Sequence, residues 1–427
     1  MPHVLARCCS LLVTVGLLLS VLTPGAALAA GGSGNGYVPG EVVVKLAQAS
    51  DLAAVAAAFS LDPTPVDQFG ARPIFRLRIL DGSSPPSKAS ALSLDPRVVY
   101  ADTNEVGQAP ESQGISWAQG ISWAQGISWA QGISWAQGGA TTYGSQWALA
   151  EMRLPAAHAI TRGTGQIVAV LDTGIDPTHP AFAGRLVPGY DFVDDDPDPT
   201  EVGSHPISPT YGHGTMVAGL VALAAPGAQI MPLRVLDVDG AGNVWVLAEA
   251  LQYAMAHGAT VVNMSLAMPS DSRLLTEVLK AVACGAPATI GPTDLPCYRP
   301  DGAVVVEAAG NFGSQTQVFP AASSVKGALS VGATEPDGSL ALFSDFGSWV
   351  DVAAPGDMIV SAVPGGGTGM WGGTSMAAPL VAGEAALVRA AFPGVTTLAI
   401  TTRIKQSSAV VNGPVKYRAD VFAALTN

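Results

Sequence analysis

Charge is scarce in this chain. Only 12% of its 427 residues are Asp, Glu, Lys or Arg, about half the share usual in soluble proteins. The charge present leans one way, 33 acids against 20 bases for a net −13, so there is no basic footprint for a nucleic-acid backbone or an anionic membrane surface. Long hydrophobic runs are also missing. The longest, Leu11–Leu22, falls short of the ~20 residues a bilayer-spanning helix needs. Cysteine is limited to four residues and aromatics to 6%. What is plentiful is aliphatic and turn-forming: 48% hydrophobic residues, 49 glycines and 32 prolines. That excludes wholesale disorder and favours many short elements joined by loops over a helical bundle. The length allows two or three domains with full cores.

The first residues combine a single base, Arg7, with the apolar run and then Ala27-Leu28-Ala29, the small-x-small pattern that ends an export signal. Residues 1–29 are therefore expected to be a signal peptide, and the protein to be secreted and extracellular. Removal takes Arg7 and no acid, moving the net charge from −13 to −14. Cys8 and Cys9 leave with it. Cys284 and Cys297 remain, 13 residues apart, and in an oxidising compartment they are expected to form a disulfide, a closure contributing roughly 3 kcal/mol in the chain-entropy model. Zinc would need further ligands close by in sequence, and no metal ligand set is expected.

After a glycine-rich leader, strands expected at Glu41–Leu46, Ile74–Leu80 and Val98–Ala101 alternate with helices near Asp51–Phe59 and Ser87–Leu94. The β-α-β-α-β order suits a small α+β domain over residues 37–106. Residues 107–142 read as a linker containing four consecutive copies of Gly-Ile-Ser-Trp-Ala-Gln, in which Trp117, Trp123, Trp129 and Trp135 recur at a fixed step. Such repetition fits a tolerated spacer; the alternative is a sticky aromatic patch. From residue 143 to 427 short apolar runs alternate with helical stretches. Strands are expected at Ile167–Leu171, Ile230–Val235, Val261–Met264, Val304–Glu307, Leu329–Val331 and Trp349–Ala353. Helices are expected at Thr215–Leu223, Trp245–His257, Arg273–Ala283 and Met376–Ala391. This pattern predicts a doubly wound, mostly parallel α/β sheet, in which chemistry collects beyond the carboxyl ends of the strands.

Three residues stand where such chemistry belongs. Asp172 ends the run Ile-Val-Ala-Val-Leu and precedes Thr173-Gly174; His213 lies in Gly212-His213-Gly214-Thr215; Ser375 lies in Gly372-Gly373-Thr374-Ser375, entering an apolar helix. A carboxylate at a buried strand rim needs a partner, an imidazole shuttles protons, and an exposed hydroxyl can be a nucleophile. Singly they could be a turn cap, a loop histidine and a helix N-cap. Together, in Asp172-Thr173-Gly174-Ile175-Asp176, His213-Gly214-Thr215-Met216-Val217-Ala218-Gly219 and Gly373-Thr374-Ser375-Met376-Ala377-Ala378-Pro379, the chain resembles the subtilisin-like serine peptidases.

That resemblance implies a Ser-His-Asp triad of Ser375, His213 and Asp172 acting on peptide bonds, with Asn311 of Ala308-Ala309-Gly310-Asn311 as an oxyanion donor. It also implies substrate-pairing edges at Gly240-Ala241-Gly242 and Ser265-Leu266-Ala267. Ala267 stands where the family favours glycine, and Met216 where it commonly has histidine. Residues 37–106 are similar to the family's pro-domain, which implies a zymogen, with self-cleavage expected between Asn104 and Gln146. No cofactor is expected to be required. Calcium could bind through Asp194, Asp195, Asp196 and Asp198, while Ala181 and the uninterrupted Ala222–Pro226 depart from the family's tight calcium site. The expected partners are protein or peptide substrates and the pro-domain in cis, with no nucleic acid and no membrane. An esterase on the same triad, or a binding protein on a dead peptidase scaffold, remain the alternatives.

Overall fold

A computed structural model describes residues 36–109, 143–204, 207–208, 210–284, 294–410 and 413–427. The expected signal segment and the tryptophan repeats lie outside the described residues. Those described fall in one compact unit.

The larger part is built on nine strands, in the order Ala409–Val410, Tyr417–Arg418, Val352–Pro355, Ala328–Thr334, Val304–Ala308, Val261–Met264, Ile167–Asp172, Gln229–Arg234 and Tyr190–Asp191. All neighbouring pairs are parallel except the terminal Ala409–Val410 and Tyr417–Arg418 pair. The central strands are apolar without a break because both faces are covered. Val168, Val170, Val304 and Val306 point into a core shared with helices His213–Ala224 and Thr374–Ala391. Ala169, Leu171, Val262 and Val305 alternate with them and face helices Val244–Ala256 and Arg273–Ala283 on the other side. The helix Thr374–Ala391 is buried nearly all round. Its approach to His213–Ala224 is close enough that a Cβ on Gly383 would stand 2.3 Å from the Ala224 Cβ. The sheet is thus the doubly wound, mostly parallel one expected. One strand differs: pairing begins at Val352 rather than Trp349, because Trp349 and Val350 pack instead into a small side cluster with Val318 and Ala321.

The smaller part is an antiparallel sheet in the order Asp67–Gln68, Ile74–Arg78, Glu41–Leu46, Val98–Asp102. Helices Leu52–Ala58 and Pro85–Leu92 lie on one face. Val42, Val44, Leu46, Phe75 and Leu77 pack beneath them. Period-two alternation sends Val43, Ile74 and Tyr100 the opposite way, joined by Phe69 in the core around Trp245, Leu275 and Val278. This sheet therefore sits on helices Val244–Ala256 and Arg273–Ala283 of the larger part.

The contact has a polar border. Lys45 pairs with Glu277, which also accepts from Tyr100 Oη at 3.1 Å. Arg273 Nε donates to Asp102 Oδ1 at 2.9 Å, and Trp245 Nε1 to Asp67 Oδ2 at 3.0 Å. Asn104 Oδ1 and the Glu105 carbonyl accept from the first-turn N–H groups of Trp245 and Val244, at 3.2 and 2.9 Å, satisfying donors that a helix start leaves without internal partners.

Residues 107–109, expected to open the linker, continue as paired chain. Val106–Gln108 runs antiparallel to Ala241–Asn243, and Gln108 bridges to Ala267 on its other side. Cys284 and Cys297 are disulfide-bonded with a Cα–Cα distance of 5.3 Å, beyond the end of helix Arg273–Ala283.

Candidate active site

Parallel strands deliver their last residues to one rim, and there Asp172 stands bonded to His213. Asp172 is the final residue of strand Ile167–Asp172 and is 1% exposed. Its Oδ1 accepts from His213 Nδ1 at 2.6 Å and from the Thr173 N–H at 2.8 Å. His213 opens its helix immediately after Gly212, whose φ of 92° lies in the left-handed region that favours glycine. The imidazole is fully buried and meets the edge of the Trp371 ring at 5.3 Å. Trp371 ends a strand four residues ahead of Ser375, so the ring contact and the helix packing at Gly383 bring the histidine helix against the serine helix.

Ser375 stands in the first turn of helix Thr374–Ala391. Its carbonyl accepts from the Ser265 hydroxyl at 3.0 Å, which ties it to the edge Ser265–Ala267. Asn311 Oδ1 accepts from both the Thr374 N–H and the Thr374 hydroxyl, at 2.8 and 2.9 Å. These two bonds fix the amide plane and turn its Nδ2 donors away from Thr374. The Thr374 hydroxyl in turn accepts from the Gly310 N–H at 3.1 Å. Asp345 anchors the same loop from beneath, accepting from the N–H groups of Phe312 and Ser314 at 3.1 and 2.9 Å. Burial pushes its carboxyl up to about 6, against the pull of those bonds. Gly310 passes so close that a Cβ there would stand 2.3 Å from Asp345 Oδ2.

The edges Gly240–Gly242 and Ser265–Ala267 flank a groove that the chain itself fills. Gln108 and Ala267 exchange both backbone hydrogen bonds at 2.9 Å, and the Ala109 N–H donates to the Gly240 carbonyl at 2.9 Å. Because Gln108 lies antiparallel to Ala267, the step from Gln108 to Ala109 runs in the direction from Ala267 to Ser265, whose hydroxyl bonds the Ser375 carbonyl.

One residue near the site carries no sequence signal. Glu201 is 9% exposed, and its carboxylate accepts from the Gly212 and Thr215 N–H groups at 2.9 Å each and from the hydroxyls of Thr173 and Thr215 at 3.1 and 3.3 Å. It clasps the turn after Asp172 to the segment around His213. Burial raises its pKa first of all, the backbone bonds oppose this, and the charge of Asp172 adds to the rise. In sequence it follows an acidic run and looks like more of the same solvated loop; only burial distinguishes it.

In that run, Asp191 and Asp194 both pair with Arg234, Asp195 accepts from Tyr190 Oη at 2.8 Å, and Asp196 and Asp198 close local turns. Among the described residues no group of three or more His, Cys, Asp and Glu side chains is arranged to hold a metal ion.

Comparison with known proteins matches residues 163–420 to the model of the subtilase family, and residues 24–104 to that of the fervidolysin N-terminal prodomain. A thermophilic serine proteinase from Bacillus sp. strain AK1 is 38% identical over 272 residues, which are 61% of this chain and 61% of that protein. Thermitase from Thermoactinomyces vulgaris is 34% identical across 64% of this chain and 92% of its own length. The crystal structure of fervidolysin from Fervidobacterium pennivorans, a keratinolytic enzyme related to subtilisin, shares the fold with a TM-score of 0.70 at 24% identity, covering 92% of this chain and 61% of that one. A cold adapted subtilisin-like serine proteinase aligns with a TM-score of 0.52 at 31% identity, over 61% of this chain and 90% of its own.

Proposed function

Given that the chain belongs to the subtilase family, we propose that it is a secreted serine endopeptidase, made as a zymogen that cuts itself free of its N-terminal domain. Ser375 Oγ attacks the peptide carbonyl while His213 takes its proton and then returns it to the leaving amine. Asp172, bonded to Nδ1, holds the ring in the tautomer that leaves Nε2 to accept, and stabilises the imidazolium as it forms. The negative oxygen of the tetrahedral intermediate is met by Nδ2 of Asn311 and the Ser375 N–H. Collapse expels the amine and leaves an acyl-enzyme, which water hydrolyses by the same proton relay in reverse. This route requires no cofactor.

The observation that carries this reading is the chain's own segment Val106–Ala109, held as a strand between Ala241–Asn243 and Ala267. Main-chain pairing on both sides recognises a peptide regardless of most side chains, which favours proteolysis over hydrolysis of a plain ester. It also supports reading the small domain as a partner in cis that blocks the groove, with maturation among the few residues after Ala109. Retention of Asp172, His213, Asn311 and Ser375 argues against a dead scaffold. The Cys284–Cys297 disulfide supports export.

The test is casein hydrolysis by protein recovered from the medium, with and without a serine-directed sulfonyl fluoride, alongside N-terminal sequencing. Hydrolysis stopped by the reagent, a new N-terminus shortly after Ala109, and a Ser375→Ala precursor that stays full-length are the expected results. Casein hydrolysis indifferent to the reagent and to Ser375→Ala would overturn the proposal.

A further inference from the structure

We infer that Met268 makes the enzyme select glycine at the substrate position that Gly107 occupies in the groove, three residues upstream of residue 110 in the acyl half of the peptide. This rests on the peptidase reading above and extends it to a side-chain preference.

Gly107 lies opposite Gly242 in the ladder. Its φ is not among the positive values found at many other glycines of the chain, so its backbone conformation is one that any residue adopts. The need for glycine comes from a neighbour. A Cβ built on Gly107 would stand 2.8 Å from Met268 Cγ, 3.4 Å from its Sδ and 3.6 Å from the Ala267 carbonyl oxygen. The first distance is closer than real Cβ atoms approach anything. Cγ is the second carbon of the side chain, so turning the flexible end of the methionine does not remove it. Nor can the backbone retreat: Met268 and Phe319 exchange both main-chain hydrogen bonds, at 2.7 and 2.9 Å, and Met268 is 1% exposed within the core beside Phe319. The peptide is equally fixed, held at Gln108 by Ala267 and at Ala109 by Gly240. A side chain at this position therefore has to displace a packed residue, whereas glycine fits as it stands.

A misfit of one or two carbons in a close-packed pocket is worth about tenfold or more in discrimination. The experiment uses the mature enzyme with decapeptides of the sequence 104–113, carrying Gly, Ala, Leu or Phe at the Gly107 position, with products identified by mass spectrometry. The wild type is expected to cleave the Gly peptide with a kcat/KM at least about tenfold above the Leu and Phe peptides, and Met268→Gly to shrink that ratio about tenfold. In a parallel arm, a Gly107→Leu precursor matures slowly, and adding Met268→Gly restores its rate; this arm reads the same contact if the single variant is recovered poorly. Equal cleavage of Gly and Leu peptides by the wild type, or a ratio unmoved by Met268→Gly, overturns the inference while leaving the peptidase intact. If casein and every peptide stay uncut, the peptidase reading fails, and this inference with it.

Discussion

The two sheets of this protein solve burial differently. The nine-stranded sheet covers both faces with its own helices, and the acids near the site, Asp172, Glu201 and Asp345, each accept two or more hydrogen bonds. The four-stranded sheet has helices for one face only and borrows the other cover from Val244–Ala256 and Arg273–Ala283, with ion pairs and buried acids along the border. One is a finished interior and the other half of an interface. Substitutions in the first are therefore expected to alter chemistry and stability, and those in the second to alter how tightly the small domain is held.

The largest effect belongs to the finished part. Asn311→Ala removes the amide that the proposed mechanism sets against the developing oxyanion, a loss worth ~2.7–4 kcal/mol of transition-state stabilisation, a magnitude established on a subtilisin rather than deduced from this chain. Turnover on a peptide substrate is expected to fall about 100- to 1,000-fold with the small domain's affinity almost unchanged. Next comes Glu201→Ala, which strips four hydrogen bonds from the segment that joins Asp172 to His213. A kcat lowered roughly tenfold or more with a smaller change in KM is expected. A KM effect alone would show that the residue shapes the groove instead.

The border is probed by pH. Glu249 is pushed up to about 7, first by burial and then by the facing charge of Asp67 across the border, with Trp245 and Arg76 pulling the other way. A carboxyl whose pKa is raised in the assembled state favours assembly while protonated and opposes it once ionised. The small domain added in trans is thus expected to bind about an order of magnitude more weakly as pH rises through 7, as titration of its inhibition would measure. Glu249→Gln flattens that dependence; a slope that survives the substitution would place the sensor elsewhere.

The smallest effect returns to the interior, where two acids break its rule. Glu384 and Glu307 are buried, and Glu384 has neither oxygen hydrogen-bonded. Burial pushes both up to about 8. Raised pKa values mean stability falls as pH climbs from their unfolded range near 4.5 through 8. Glu384→Gln is expected to raise the melting temperature at pH 9 by a few degrees and to change it little at pH 5, as calorimetry would register.

Most of the large sheet was legible in the chain because a strand buried on both faces must be apolar without interruption, as in Ile167–Leu171 and Val304–Val306. The motifs around Asp172, His213 and Ser375 stood out through their resemblance to the subtilisin-like peptidases, and of these residues Asp172 and His213 are hydrogen-bonded at 2.6 Å. What escaped is what only tertiary contact creates. Val106–Gln108 has no strand pattern of its own and becomes a strand through its neighbours Ala241–Asn243 and Ala267. Glu201 differs from the aspartates before it only in being enclosed. The early boundary expected at Trp349 followed its hydrophobicity, which serves a side cluster rather than the ladder.

Trp245 gives the assembly an optical property. Its indole is wholly enclosed, donating to Asp67, edged by Phe69 at 6.0 Å and covered by Arg76 at 5.7 Å. All three of those neighbours belong to the small sheet and its connections. In the maturation proposed above, departure of that sheet would carry the ring from this enclosure into solvent, and its emission would move to longer wavelength in step with release. The proposed activation can then be followed by the change in emission of Trp245, one of eight tryptophans in the chain.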